Sequence, residues 1–427
     1  MKTFRLGIHP NDNKALSCDI AFEVLEPGKK VFIPLSQHTG SPAKALVKVG
    51  DTVKAGTMIG EAGGYVSANV FSSISGTVTG IVERDSLSGY KTTHIEIEND
   101  GLYTEENLPP LEELTPQNII ERVKYAGIVG MGGAAFPTHV KLSPPNKIKT
   151  LIINGAECEP YITADYRLML EKSAEVIEGA LILQKALNPE ETFIGVENNK
   201  KPAIKALREY APESIKVEEL KTKYPQGGEK QIIYAIKKQV VPVGKLPSHI
   251  GVVVVNAATA YAVYEAVRLG RPSYARYLTV SGGAAKNKLN LFVRNGTPFS
   301  EIAERAEVTE SEKVISGGPM MGNAVYSLDI VATKGTNSLL FLTKDEVRKD
   351  EPTPCINCAA CHKVCPMRLM PMFIEKYTRS EEYDLAEKYK PIYCMECGCC
   401  SYVCPARRPL VQSIRLAKKM IKERKNG

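Results

Sequence analysis

Two thiol-rich runs near the C-terminal end narrow the possible folds more than any other feature: CINCAACHKVCP, from Cys355 to Pro366, and CMECGCCSYVCP, from Cys394 to Pro405. Each reads CxxCxxCxxxCP, the spacing of chains that carry two [4Fe–4S] clusters. Three cysteines in one tight loop can reach one face of an iron–sulfur cube. The fourth, further along the chain, leaves along a helix and reaches the other cube. The spacing therefore assigns Cys355, Cys358, Cys361 and Cys404 to one cluster, and Cys394, Cys397, Cys400 and Cys365 to the second. Pro366 and Pro405 turn the chain away after the fourth ligand. Zinc is the competing reading, but zinc sites usually separate two CxxC pairs by about a dozen residues or more. Cys399 reads as a spare thiol, and Cys18 and Cys158 as buried small residues. Disulfides do not suit such clusters in a reducing compartment.

The 427 residues exceed one ordinary core. Up to Glu112 the chain is rich in Gly, Val, Thr and Ser, with short alternating runs (FIPL, ALVKVGDTVKAGTMIG, SGTVTGIVE) broken by turn signals, as in a small all-β domain. The stretch LPPLEELTPQN links it to a region of different period. There, TLIIN, TFIGV, KVEEL and GVVVVN alternate with helical patterns over Asp165–Leu187, Pro202–Tyr210, Glu229–Lys238 and Ala257–Leu269. Such alternation predicts a mostly parallel sheet covered on both faces, with a ligand at the carboxyl ends of its strands. From Pro272 the pattern returns to strands around the helix-like PFSEIAERA. The expected domains are 1–112, 113–271, 272–349 and 350–427.

The net charge of +7 lies almost wholly in the tail, where residues 406–427 hold eight Lys or Arg and one Glu. Leu410, Ile414, Ala417 and Ile421 recur there at helical spacing, which predicts an amphipathic basic helix. It either packs by one face with its charges solvated or docks on an anionic membrane surface or an acidic partner. No basic stripe with interleaved aromatics accompanies it, which argues against nucleic acid. The N-terminus has no apolar signal region, and the most apolar window, IGVVVVNAATAYAVYEAV, is broken by Asn256, Thr259 and Glu265. A soluble chain is expected. The six histidines (His9, His38, His94, His139, His249, His362) share no ligand spacing.

AGIVGMGGAAFPTHVKL, Ala126 to Leu142, lacks both the GK[ST] of a Walker loop and the interval of GxGxxG. Gly130, Gly132 and Gly133 would still let backbone N–H groups approach an anion, with Lys141 to meet a phosphate. NGAECEP places Glu157 and Glu159 at the end of a strand in the same domain.

GMGGAAFPT with Lys141, followed by NGAECEP, resembles the flavin-binding region of the NADH-oxidising flavoprotein subunit of complex I, which carries GRGGAGFPT and an NADE-x-EP run in that order. With the N-terminal β domain and the two-cluster tail, nearly the whole chain resembles the RnfC family, one of the subunits of the Rnf complex, a membrane-bound, ion-translocating ferredoxin–NAD oxidoreductase. The resemblance implies that Gly130, Gly132, Gly133 and Lys141 hold FMN, with Asn154, Glu157 and Asn256 near it. It implies that Glu159 and Glu229 face the nicotinamide nucleotide NAD(H), with Lys245 a further candidate. Met131, Ala135 and Ala156 stand where the complex I pattern has Arg, Gly and an acid. The segment after Lys141, LSPP, has no aromatic of the kind that stacks on adenine in that family.

The resemblance also implies a barrel-sandwich N-terminal domain, a Rossmann-like α/β flavin domain, a β-grasp domain at 272–349 and a helical two-cluster ferredoxin domain. No lysine lies between Ala55 and Tyr90, so a carrier-type swinging arm is excluded. The implied activity is that of an NAD-dependent oxidoreductase subunit, with no acid–base catalytic residue required. Its partners would be the other subunits and, indirectly, ferredoxin. The implied location is peripheral, on the cytoplasmic side of the inner membrane. Two rivals are a soluble flavoprotein subunit of a hydrogenase or formate dehydrogenase, and a flavin-free iron–sulfur scaffold.

Overall fold

The computed structural model describes residues 1–347 and 349–426. Its first strand, β1 (Phe22–Leu25), stays apart from the β-domain that follows, pairing in parallel with residues 290–293 far along the chain. β2 (Lys30–Pro34), β3 (Lys44–Ala45), β4 (Thr52–Val53), β5 (Met58–Glu61), β6 (Val70–Phe71), β7 (Gly76–Asp85) and β8 (Lys91–Asn99) make two facing sheets, ordered β2-β8-β7-β4 and β3-β5-β6. Val31, Ile33, Ile95 and Ile97 alternate inward along their strands and are fully buried with Ile59, Val70 and Val78. The early alternation in the sequence is the trace of this sandwich.

The second unit opens on α1 (Pro116–Tyr125). Thr115 caps it by accepting from Asn118 N, and Pro116 fills the first turn, where no N–H partner is needed. Then come α2 (Thr138–Lys141), β9 (Thr150–Gly155), α3 (Ala164–Glu171), α4 (Ser173–Leu187), β10 (Glu191–Glu197), α5 (Lys201–Tyr210), β11 (Ile215–Leu220), α6 (Glu229–Lys237), β12 (Val252–Asn256) and α7 (Ala257–Arg268). The sheet is parallel, in the order β11-β10-β9-β12.

Both faces of this sheet are covered, as near-continuous apolar strands require. Leu151, Ile153, Val253 and Val255 pack under α1, α3, α4, α5 and α7, while Ile152, Val252 and Val254 pack under α6. The pattern expected as one helix over 165–187 is two, because Lys172 (φ −128, ψ 37) leaves the helical region between them. α4 crosses α7 so closely that a Cβ on Gly179 would overlap the carbonyl oxygen of Ala260.

β13 (Ala275–Ser281), β14 (Leu289–Arg294), β15 (Lys313–Ser316), β16 (Asn323–Val325) and β17 (Ser338–Leu342) join β1 in a mixed sheet, ordered β1-β14-β13-β17-β15-β16. α8 (Phe299–Arg305), between β14 and β15, buries Phe299 and Ile302 against it. The last unit is helical: α9 (Ala360–Lys363), α10 (Pro371–Arg379), α11 (Tyr383–Lys388), α12 (Cys399–Val403) and α13 (Leu410–Asn426).

α13 is the basic tail. Its apolar stripe is covered within the chain: Leu410, Ile414, Ala417 and Ile421 are buried, the last three in one cluster with Ile374 of α10. Several of its cations meet acids of the same unit, Arg415 and Lys418 on Glu396, Arg424 on Asp384 and Lys425 on Glu387. The helix therefore packs by one face. Among the described residues no helix is long and apolar enough to cross a membrane.

Candidate functional site

The order β11-β10-β9-β12 reverses direction at β9, so the crevice of this sheet opens between the carboxyl ends of β9 and β12. Asn154, one residue before the end of β9, and Asn256, the last residue of β12, are register partners. Asn154 donates from Nδ2 to Gly227 O at 2.8 Å. Asn256 caps α7 through Oδ1, accepting from Ala258 N at 2.9 Å, and donates to Asp165 Oδ2 at 2.6 Å. Both amides hold neighbouring loops in place.

The glycine loop lies over this crevice. Gly130 N donates to Phe136 O at 2.8 Å, Met131 N to Thr259 Oγ1 at 2.9 Å, and Arg276 clamps Met131 O at 2.7 Å. Gly132 rests against Asn256, where an added Cβ would come within 3.3 Å of the Asn256 Cβ. Gly133, at φ +146, has nothing within 4 Å of where a Cβ would stand, so this edge of the loop is bare backbone open to solvent. From below, Lys141 Nζ donates to Glu229 Oε1 at 2.7 Å and to Val254 O at 2.9 Å.

The structure thus gathers Gly130, Gly132, Gly133, Lys141, Asn154, Asn256 and Glu229 at one end of one sheet. An ammonium, two amides and a Cβ-free loop suit a phosphate-bearing planar group, and the open flank at Gly133 leaves it room. Lys245 is exposed on the loop after α6.

The acidic loop after β9 turns into the protein. Glu157 accepts from Asp165 N at 2.7 Å, and its Oε2 lies 3.7 Å from Lys14 Nζ with no hydrogen-bond partner. Burial pushes the Glu157 carboxyl up and the Lys14 ammonium down, outweighing their mutual attraction. Lys200, beside them, is also buried, but Glu197 at 3.0 Å and Glu157 hold it above its ordinary value.

Glu159 lies between the loop that joins β15 to β16 and Tyr224 of the loop after β11. Its Oε2 accepts from Met320 N at 3.1 Å, and its Oε1 lies 3.1 Å from Tyr224 Oη. That phenol is also 2.7 Å from the carbonyl oxygen of Cys397. The single phenol proton faces both acceptors, and the contact to Cys397 is the shorter of the two. Burial pushes the Glu159 carboxyl up to about 7, against the pull of the Met320 N–H and the Tyr224 hydroxyl.

Cys355, Cys358, Cys361 and Cys404 line one pocket with Met372, Ala406 and Leu410. Cys365, Cys394, Cys397 and Cys400 form the other set: burial, and then the nearness of Cys394, Cys397 and Cys365, raises the Cys400 thiol. Burial pushes the Cys394 thiol up to about 11. Backbone N–H groups of Leu369 and Glu396 point at the sulfurs of Cys365 and Cys394, each at 3.3 Å. Among the described residues no three His, Cys, Asp or Glu side chains converge as a single-ion site. What the structure presents is two all-thiol sets, the donor chemistry of an iron–sulfur cluster, whose binding replaces the thiol protons. Cys355 and Cys358 are exposed, whereas Cys397 is buried in a cluster with Ile8, Tyr224 and Cys399.

Four residues take part here whose contacts have no signature in the sequence. Lys14 carries no motif, Tyr224 lies five places before Glu229 in the same YPQGGE run, and Lys418 is one cation of the basic tail. Thr39 of the sandwich holds the glycine loop, donating to Ala134 O at 2.6 Å and Ala135 O at 3.1 Å.

Residues 123–265 match the Nuo51 FMN-binding domain, residues 2–102 the RnfC barrel sandwich hybrid domain, and residues 354–407 a 4Fe-4S dicluster domain. The NAD+-reducing [NiFe]-hydrogenase in its H2-reduced state shares the fold, with a TM-score of 0.52 at 15% identity over 73% of this chain and 66% of that one. The chain is 44% identical to the C-subunit of the Na(+)-translocating ferredoxin:NAD(+) oxidoreductase complex of Acetobacterium woodii, over 100% of its length and 98% of the relative's. It is also 44% identical to the C-subunit of the proton-translocating ferredoxin:NAD(+) oxidoreductase complex of Clostridium ljungdahlii, over 98% of this chain and 94% of that one. On likeness of this extent, the chain belongs to the RnfC family, the C-subunits of the ion-translocating ferredoxin:NAD+ oxidoreductase complexes.

Proposed function

We propose that this chain is the NAD(H)-reactive subunit of a membrane-bound, ion-translocating electron-transport complex. It passes electrons between NAD(H), FMN and two [4Fe–4S] clusters, and ultimately ferredoxin, on the cytoplasmic side of the membrane. The other subunits are its partners, and they hold it to the membrane. In this reading the units are a barrel-sandwich (1–112), a Rossmann-like flavin domain (113–271), a β-grasp domain (272–349) and a two-cluster ferredoxin domain (350–427).

A nicotinamide exchanges two electrons as hydride and a cluster exchanges one, and a bound flavin supplies the conversion between them. The chain's own residues bind and align. Lys141 meets the phosphate, Gly130, Gly132 and Gly133 offer bare backbone, Asn154 and Asn256 fix the crevice, and Glu157 lies beneath it. Glu229, half-exposed beside Lys141, faces the nucleotide. Glu159, which the resemblance assigns to the nucleotide, serves this reading better as the brace of Tyr224.

The observation that carries the reading is the depth of the two thiol sets. The set with Cys397 packs against the loops that follow β9 and β11, while the set with Cys355 opens to solvent. The inner set is the one nearer the loops of the crevice, and the outer set is the one that a partner can reach.

The test is anaerobic: assay flavin and iron in the purified chain, add NADH and record the visible spectrum. Flavin bleaching followed by loss of cluster absorbance is the expected result. Iron without flavin, and no response to NADH, would leave a scaffold that relays electrons between partners.

A further inference from the structure

Cluster potentials depend on the net charge, hydrogen bonds and solvent exposure around the sulfurs. Two donors reach the inner cysteine loop from elements outside it. Tyr224 donates from Oη to the carbonyl oxygen of Cys397 at 2.7 Å, and Lys418 of α13 donates from Nζ to the carbonyl oxygen of Cys394 at 2.6 Å. Both carbonyls belong to residues of the inner set. Each bond directs the positive end of a dipole, or a full charge, at a peptide that carries a ligand sulfur.

The surroundings hold these donors in place. Tyr224 is buried, and its backbone exchanges two 2.9 Å hydrogen bonds with Ile8 of the N-terminal arm. Gly7 N donates to Val364 O at 3.0 Å, so the same arm also touches the cysteine unit. Lys418 shares the Glu396 carboxylate with Arg415, two cations on one acid, which leaves the Cys394–Glu396 corner net positive. The outer set differs: its neighbour Arg408 is matched by the buried Glu375.

We propose that Tyr224 and Lys418 are positioning residues that raise the midpoint potential of the cluster held by Cys365, Cys394, Cys397 and Cys400. A reduced cluster carries one more negative charge, and positive ends aimed at its ligand peptides stabilise that state. The inference rests on the reading that these cysteines bind a [4Fe–4S] cluster. Iron and sulfide content of the wild-type chain test that reading separately, and a chain without iron overturns both.

The experiment is an EPR-monitored redox titration of the full iron-loaded chain, wild type against Tyr224→Phe and Lys418→Met. A parallel titration of Cys355→Ser identifies the inner signal. The expected result is unchanged iron, a more negative potential for the inner cluster in each variant, and an unmoved outer cluster. Should Tyr224→Phe lose iron, Lys418→Met, on a part-exposed helix position, decides the matter. An unmoved inner potential in the iron-retaining variants overturns the inference, as does an equal shift of both clusters, which a general loosening of the unit would produce.

Discussion

Lys14 Nζ donates to the carbonyl oxygen of Glu159 at 2.8 Å and stands 3.7 Å from Glu157 Oε2. A residue of the N-terminal arm therefore supplies a cation to the acidic loop after β9. Both partners are buried, and the Glu157 carboxylate oxygen nearest Lys14 has no hydrogen-bond partner.

Removing one partner of such a pair leaves an uncompensated group and costs about 3–5 kcal/mol. Lys14→Met is expected to lower the stability to unfolding by that amount. Lys14→Met combined with Glu157→Gln should recover part of the loss, because no charge is then stranded. Denaturant midpoints of the two variants check it, and equal losses would show that the pair is not the source.

The two thiol sets make a sharp prediction about iron. Cys404→Ser should reduce iron from about eight to about four atoms per chain, since each [4Fe–4S] cluster takes four cysteines. Cys399→Ala should leave it unchanged, although Cys399 is fully buried between two ligands. Colorimetric iron and sulfide assays decide both.

His38 gives the sandwich an acid-sensitive joint. Its Nε2 lies 3.0 Å from Ser41 O and 3.1 Å from Ala68 N, and burial with the nearby Lys334 pushes its pKa down to about 4. The folded pKa lies below the unfolded value, so unfolding takes up a proton between roughly pH 6.5 and 4. Stability should fall as pH drops through that window. His38→Gln cannot titrate, so its melting temperature should drop less between pH 7 and pH 5 than the wild type's.

Gly179→Ala tests the contact between α4 and α7. Alanine gains about 1 kcal/mol over glycine inside a helix. Here the new Cβ would press on the Ala260 carbonyl oxygen, which is backbone and cannot rotate away. Overpacking of this kind costs about 1–3 kcal/mol, so net destabilisation is expected in a urea titration.

Local pattern carried much of this molecule. CxxCxxCxxxCP set the pairing of Cys404 with the first run and of Cys365 with the second, because a cube-sized cluster constrains residues a few places apart. The alternation of TLIIN, TFIGV, KVEEL and GVVVVN with helices announced a parallel sheet, and its reversal at β9 put Asn154 and Asn256 side by side. The basic stripe of α13 was legible too, but only packing showed that Ile414 and Ala417 are covered by its own unit.

Other features have no local signature. Lys14, Thr39, Tyr224 and Lys418 act through contacts with segments outside their own elements, and nothing in the sequence around each says which carbonyl it meets. β1 reads like any short strand, yet it joins β14 because the chain before the sandwich runs back across the other units. Side-chain period and ligand spacing reflect neighbours a few residues apart and are written in the sequence. Which loop meets which carbonyl depends on how separately built units close on one another, and tertiary structure alone decided that.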